Sequence, residues 1–139
     1  MGQRANILKF PQYEAALLML LRKSPARQMA LVDIPSALEK FKKAIQDGEV
    51  HEVGDYLVWF QLSPTWYSGS KVIIIEDLVL RFQRIYDNPA SDVAVYLKHL
   101  NTIYGTHGVV AGDTQVGAMG KVYEEAGFTP LGKQYFWSE

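Results

Sequence analysis

The sequence predicts a single α/β domain, residues 1–139, in which a mixed sheet is flanked by helices. Two observations lead to this fold class. Several segments carry apolar residues at helical spacing, and the segments between them are apolar at a period of two or continuously. Their order is β, α, α, a β-hairpin, a long strand, α, β, α, β, without an internal repeat or a low-complexity linker.

Composition and charge limit the class of protein. The chain is 48% hydrophobic and 21% charged, and charge interrupts its longest apolar runs at Arg22 and at Glu76-Asp77. A formal net charge of −1 disfavours nucleic-acid binding through an overall field. The absence of cysteine excludes disulfides, zinc–thiolate sites and a thiol nucleophile. Because the N-terminal MGQRAN has no apolar signal core and no myristoylation motif, we expect a cytoplasmic protein that does not enter membranes.

The sequence of the N-terminal part predicts one strand and two helices. Residues 5–10 are predicted as the first strand, and Pro11 as the start of a helix that ends at residues 22–25. One face of that helix carries the apolar residues Tyr13, Ala16, Leu17, Leu20 and Leu21. A second amphipathic helix follows Pro35 and ends at Gly48.

The central part predicts strands. Gly54-Asp55 marks a hairpin within residues 49–62, whose second arm is apolar on both faces and therefore lies centrally in a sheet. Residues 63–70 read as a loop, and residues 71–82 as a long buried strand interrupted by Glu76-Asp77. Because side chains alternate along a strand, one carboxylate should line a polar cavity while the other meets a partner or solvent.

The C-terminal part alternates helices and short strands. Residues 83–90 are predicted as a loop, after which Ser91 or a neighbour caps a helix that ends at Gly105. A strand at residues 108–112 leads into a last helix, which Gly127 ends. That helix carries the apolar residues Val116, Met119, Val122, Tyr123 and Ala126. A closing strand is predicted after this helix. The apolar residues of that strand and of the segment leading into it are Phe128, Leu131, Tyr135 and Trp137.

The order strand, helix ending in Y-x-x-x-G-F, strand at the C-terminus resembles the second half of the GCN5-related N-acyltransferase (GNAT) family. The stretches PTWY and IEDLVLR make the chain similar to a small group of GNAT-like proteins of tailed phages. The resemblance covers roughly residues 48–137. It implies a mostly antiparallel central sheet whose fourth and fifth strands part to hold acyl-CoA, with acetyl-CoA as the expected cofactor.

The resemblance also implies where the cofactor lies. In GNAT proteins a glycine-rich Q/R-x-x-G-x-G/A turn, which opens the helix after the fourth strand, holds the pyrophosphate on backbone N–H groups. The positions that the resemblance assigns to cofactor binding are Leu78, Val79, Leu80, Arg81, Arg84, Asn88, Ala90, Ser91, Asp113 and Thr114.

The pyrophosphate turn departs from the family pattern. Residues 83–92 contain no glycine, and Pro89 lacks an N–H. Asp87 and Asp92 add negative charge, and only Arg81 and Arg84 oppose it. We therefore expect weak acetyl-CoA binding. The alternative is that side chains at the start of the helix cap it and satisfy its N–H groups internally.

The resemblance suggests catalytic residues as well. Tyr123 matches the tyrosine that in many GNAT enzymes protonates the leaving thiolate, and Glu76 and Asp77 lie where such enzymes often place the base for the substrate amine. Two alternatives stay open. Tyr123 would serve equally well as a core residue packed on Phe128, and the carboxylates could be paired with nearby basic residues, Arg81 or Lys71.

Two functions follow from the resemblance. The first is an acyl-CoA-dependent N-acyltransferase that acts on an unknown amine acceptor. The second is a catalytically inactive GNAT-fold protein with a structural or interaction role, with a protein partner, as a homo-oligomer or as a virion component in a phage particle. The acyltransferase would act in the cytoplasm, and the inactive protein would be found in the cytoplasm or in the virion. The glycine-free turn favours the second function, whereas Tyr123 and the carboxylate pair favour the first.

Overall fold

A five-stranded sheet organises the chain. The computed structural model describes residues 2–23, 32–112, 119–132 and Trp137. The strands lie side by side in chain order: β1 (Gly2–Arg4), β2 (Val50–Val53), β3 (Tyr56–Ser63), β4 (Ile73–Arg81) and β5 (Val109–Val110). The first three neighbouring pairs are antiparallel, and β4 and β5 are parallel. The predicted α/β fold with a mixed, mostly antiparallel sheet is confirmed.

Helices cover both faces of the sheet. They are α1 (Phe10–Lys23), α2 (Ile34–Gln46), α3 (Ser91–Tyr104) and α4 (Met119–Glu125). Residues of α1 and α2 share one core cluster with Val50, Leu57 and Leu78, whereas α3 and α4 share the other with Val58 and Ile74. No described helix has the length and apolar content needed to cross a membrane.

The N-terminal strand differs from the prediction. The strand predicted for residues 5–10 is wrong, because Ile7–Lys9 form a turn of 3-10 helix and α1 begins at Phe10. Asn6 explains the difference, since its side chain accepts a hydrogen bond from the N–H of Leu8 at 3.0 Å and ends the extended backbone. The first strand is instead Gly2–Arg4, which pairs with β2.

The helix ends follow the glycines. Gly48, Gly105 and Gly127 each lie just beyond a helix with positive φ, of 77°, 63° and 95°, so these three predicted stops are confirmed. At the C-terminus no strand is found over residues 128–132. The rest of the predicted closing strand, residues 133–136, and Val116 of the predicted last helix lie outside the described residues.

A β-bulge divides β4. Trp59 of β3 is opposite Leu78, but the next residue, Phe60, is opposite Glu76, so Asp77 is an extra residue in β4. The bulge changes which face the side chains point to. Ile74, before the bulge, belongs to the cluster under α3 and α4, whereas Leu78, after it, belongs to the cluster under α1 and α2.

Leu78→Asp should prevent folding, because Leu78 is only 7% exposed in the core under α1 and α2 and an unpaired carboxylate there would cost more than about 4 kcal/mol. Circular dichroism melting measures the outcome. Leu62→Asp is the matched control, since Leu62 lies in β3 but is 46% exposed, and it should cost no more than about 1 kcal/mol. A cooperatively melting Leu78→Asp protein would contradict the position of β4.

A buried histidine makes stability depend on pH. The Nδ1 of His51 lies 2.6 Å from the hydroxyl of Tyr96 on α3, and the ring stands edge-on to Phe60. Burial lowers the pKa of His51, because the imidazolium form loses its hydration. The neutral ring is therefore favoured in the folded state.

This histidine should reduce stability as the pH falls. Its contribution is fully present above the unfolded pKa of about 6.5 and is lost as the pH falls through the lower folded pKa, with a slope up to about 1.4 kcal/mol per pH unit. His51→Asn keeps an acceptor for Tyr96 and should flatten that slope in urea unfolding. His99→Asn, at an exposed position of α3, should leave it unchanged, and an equal slope in all three proteins would contradict the assignment.

Candidate functional site

The strands β4 and β5 form a fork. They are paired only at Ile74 with Val109 and at Ile75 with Val110. Beyond these pairs β4 continues to Arg81, whereas β5 ends. The edge of β4 after Ile75 therefore has no neighbouring strand within the described part of the chain. We call this opening the fork.

Glu76 lies where the fork opens. Its side chain is buried, with 8% of the residue exposed. One carboxylate oxygen, Oε2, accepts a hydrogen bond from the N–H of Gly112 at 3.2 Å, and the other, Oε1, accepts one from the hydroxyl of Tyr123 at 3.2 Å. Glu76 therefore links β4 to the segment after β5 and to α4.

Local structure positions Tyr123. It is 4% exposed on α4, and its ring centroid lies 5.0 Å from that of Phe128. Gly127 ends the helix, and the N–H of Phe128 then donates to the carbonyl of Tyr123 at 2.9 Å, which folds the chain back onto the tyrosine. Two residues predicted as acid and base, 47 positions apart, are thus in hydrogen-bond contact. Packing on Phe128, the alternative for Tyr123, is present as well.

Asp77 takes a different direction. It is the exposed bulge residue, and its Oδ2 accepts a hydrogen bond from the side chain of Gln61 at 2.6 Å. Partial burial raises the pKa of Asp77, and the bond from Gln61 opposes that effect. The alternative pairing with Arg81 is wrong, because Arg81 contacts Asp55 and Asp87 instead.

The backbone of β4 faces the fork at two of the predicted cofactor positions. The N–H of Phe82 donates to the carbonyl of Asp55 on the β3 side at 3.0 Å. Because successive N–H groups of a strand alternate in direction, those of Val79 and Arg81 point to the opposite edge, where β5 has ended. The side chains of Leu78 and Leu80 are buried in the core under α1 and α2.

The turn after β4 is bound to a carboxylate of the protein itself. Asp55, in the turn between β2 and β3, is fully buried. Its Oδ1 accepts hydrogen bonds from the N–H groups of Ile85 and Tyr86, both at 3.0 Å, and its Oδ2 accepts one from that of Asp87 at 2.7 Å. The Arg81 guanidinium lies 3.6 Å from Asp55 and 2.8 Å from Asp87.

The environment keeps Asp55 ionised. Burial acts to raise the pKa of its carboxyl group. The three N–H groups and the Arg81 guanidinium act in the other direction and hold the pKa below its ordinary value. The sequence identified Asp55 only as a hairpin turn residue, since nothing in its local pattern indicates partners about 30 positions away.

Other predicted cofactor residues also serve the fold. The Asn88 side chain accepts from the N–H of Asp55 at 2.8 Å and donates to the carbonyl of Val53 at 3.3 Å. Gly54 has φ of 61°, and a Cβ there would meet the side chain of Asn88, so glycine is favoured at this position. Arg84 is exposed, and Asp113 and Thr114 lie outside the described residues.

The start of α3 has no side-chain cap. Its N-cap residue is Ala90, and the predicted capping by Ser91 or its neighbour Asp92 is wrong. Backbone carbonyls take that role, because the N–H of Asp92 donates to Pro89 at 3.1 Å and that of Val93 donates to Ala90 at 3.0 Å. The tight turn that Pro89 begins therefore satisfies the N–H groups of Asp92 and Val93 without a side chain.

A cavity of about 360 Å³ lies beside the turn, away from the fork. It contains two carboxylates, Glu52 and Asp92, of which Glu52 is paired with Lys9 at 3.3 Å. The acidic lining disfavours a phosphate group. The lining residues are Gln3, Glu52, Val53, Gly54, Tyr86, Asn88 and Asp92.

No family model matches this chain, and no curated protein sequence is significantly similar to it. Solved structures match over nearly their whole length. An aminoglycoside N-acetyltransferase in complex with CoA is 10% identical with a TM-score of 0.66, covering 100% of this chain and 93% of its own. A predicted acetyltransferase with acetyl-CoA from Clostridium acetobutylicum is 12% identical with a TM-score of 0.62, covering 99% and 95%.

A GNAT-family acetyltransferase from Listeria monocytogenes is 9% identical with a TM-score of 0.63, covering 96% of this chain and 88% of its own. Identities this low carry no information about individual site residues. What the matches share with this chain is the order and packing of its strands and helices. The chain therefore has the fold of the GNAT acetyltransferases, as the resemblance implied.

Proposed function

We propose that this protein is an acyl-CoA-dependent N-acyltransferase that transfers an acetyl group to an amine at the fork. The observation that carries the proposal is the hydrogen bond between Tyr123 and Glu76 at the point where β4 and β5 part. A phenol and a carboxylate are an acid and a base of complementary strength, and both are buried here. The structural neighbours with CoA and acetyl-CoA support this class of cofactor.

The fork fits the reacting end of acetyl-CoA. Acetyl-CoA, when bound, supplies a thioester that an amine can attack. The N–H groups of Val79 and Arg81 would hold the chain of the cofactor along the open edge of β4. The turn that follows fits the pyrophosphate poorly, because the N–H groups of residues 85–87 already bind Asp55 and Pro89 has no N–H.

The two side chains can account for every proton in the transfer. Glu76 accepts one proton from the amine as the new C–N bond forms. Tyr123 donates one proton to the departing sulfur as the C–S bond breaks. Glu76 then returns its proton to the Tyr123 phenolate along their hydrogen bond, which restores both groups.

A second candidate is a GNAT-fold protein without transfer chemistry, with a structural or interaction role such as a virion component. The observation that favours it is the contact of Asp55 with Arg81 and with the N–H groups of residues 85–87, which are therefore not available to a pyrophosphate. The likeness of the PTWY and IEDLVLR stretches to small phage proteins supports the same candidate.

Acetyl-CoA should bind more weakly than the micromolar range, because Asp55 engages three N–H groups of the turn and Arg81, and Pro89 has no N–H. Because Asp55 engages the N–H groups of residues 85–87 and Arg81, acetyl-pantetheine, which lacks the nucleotide, should bind within about tenfold of acetyl-CoA. Calorimetric titration with each compound measures both. Binding of acetyl-CoA that is much tighter than that of acetyl-pantetheine would show that the nucleotide is held after all, and binding of neither would favour the second candidate.

Tyr123→Phe should lower the rate of acetyl transfer by about 100-fold or more, because it removes only the proton that the sulfur needs. The release of free thiol, assayed over a panel of amines, measures the rate. Glu76→Gln should lower it to a similar degree. Tyr104→Phe, at a 42% exposed position of α3, is the matched control and should leave it unchanged. An unaltered rate in Tyr123→Phe would assign this tyrosine to packing.

A further inference from the structure

Three consecutive N–H groups converge in the turn after β4. Those of Ile85, Tyr86 and Asp87 all donate to the two oxygens of one carboxylate. Asp87 has φ of 53°, the only positive φ among the described residues other than glycine. A left-handed residue at the end of a short run of this kind lets successive N–H groups face one point, which is the geometry of an anion-binding nest. We refer to residues 85–87 as the nest.

The nest faces away from the fork. In the sheet, β3 and β5 lie on opposite sides of β4. Asp55 belongs to the turn that precedes β3, so the N–H groups that bind it are directed to the β3 side. The side chain of Gln83 and that of Asn88 hold the same hairpin, through the carbonyls of Gly54 and Val53.

Charge also converges on the nest. The Arg81 guanidinium is close to the Asp55 carboxylate and is itself only 29% exposed. A carboxylate that is completely buried would be costly without these donors. The burial of Asp55 therefore requires the nest and Arg81.

We propose that residues 85–87, together with Arg81, form a complete oxyanion site whose resident anion is the Asp55 carboxylate, and that this internal occupant excludes an external carboxylate or phosphate. The chemistry of the site would suit any small oxyanion that could reach it. The proposal goes beyond acetyl transfer and stands on contacts that do not involve Glu76 or Tyr123.

Chemical rescue tests the proposal. Asp55→Ala removes the carboxylate and leaves the three donors and Arg81 around a space of that size. It should lower the melting temperature by about 10 °C. Formate, which has the size and charge of the missing group, should raise the melting temperature of Asp55→Ala by several degrees more than chloride at the same concentration.

Two proteins serve as controls for the rescue. The unmodified protein and Asp87→Asn should respond equally to formate and chloride. Asp87 is a suitable control because its carboxylate contacts the same Arg81 but is 82% exposed, and asparagine tolerates its left-handed backbone. An equal formate effect in all three proteins would show that formate acts as a general stabilising salt, and this result would overturn the proposal.

Hydrogen exchange of the N–H groups tests the proposal even if Asp55→Ala does not fold. In the unmodified protein the N–H groups of residues 85–87 should exchange at least about 100-fold more slowly than in an unstructured peptide. Asp55→Asn, which keeps the shape but not the charge, should reduce that protection. Exchange at the unprotected rate in the unmodified protein would overturn the proposal. Neither readout depends on acetyl transfer, so rescue without acetyl-CoA binding would support the nest while counting against the enzyme.

Discussion

The burial of the Asp55 carboxylate constrains much of the structure around it. An ionised group removed from water needs hydrogen-bond donors and a counter-charge close by, and here they come from the turn after β4 and from Arg81. These contacts attach the hairpin of β2 and β3 to the end of β4. They also set the path of residues 83–88 and hence the direction from which α3 begins.

The two ends of β4 have separate roles because of the bulge at Asp77. Without an extra residue, Glu76 and Leu78 would point to the same face of the sheet. With it, Glu76 points toward Tyr123 beneath α4, while Leu78 packs in the core beneath α1 and α2. One strand thus supplies both a polar group at the fork and the apolar residues of the opposite face, and polar chemistry does not interrupt the core.

The sequence predicted what depends on local pattern. Apolar periodicity located the hairpin and β4, and glycines such as Gly48 and Gly105 located helix ends. It misplaced the first strand, because one side-chain bond at Asn6 overrode the apolar run that follows. It selected Tyr123 and Glu76 through family resemblance, but their contact depends on how α4 packs beneath the fork. Asp55 was missed since its partners are distant in sequence.

The backbone N–H groups of a turn can bind either a ligand or a side chain of the protein itself. In a turn with free N–H groups, the energy of binding a pyrophosphate is available to hold and orient a substrate. Here the N–H groups of residues 85–87 bind Asp55 on the β3 side, so the energy of these contacts stabilises the folded protein. Any transfer activity would then depend on contacts along the fork. The absence of glycine from residues 83–92 agrees with this arrangement, because a turn closed over an internal carboxylate does not need a backbone that a large ligand can approach.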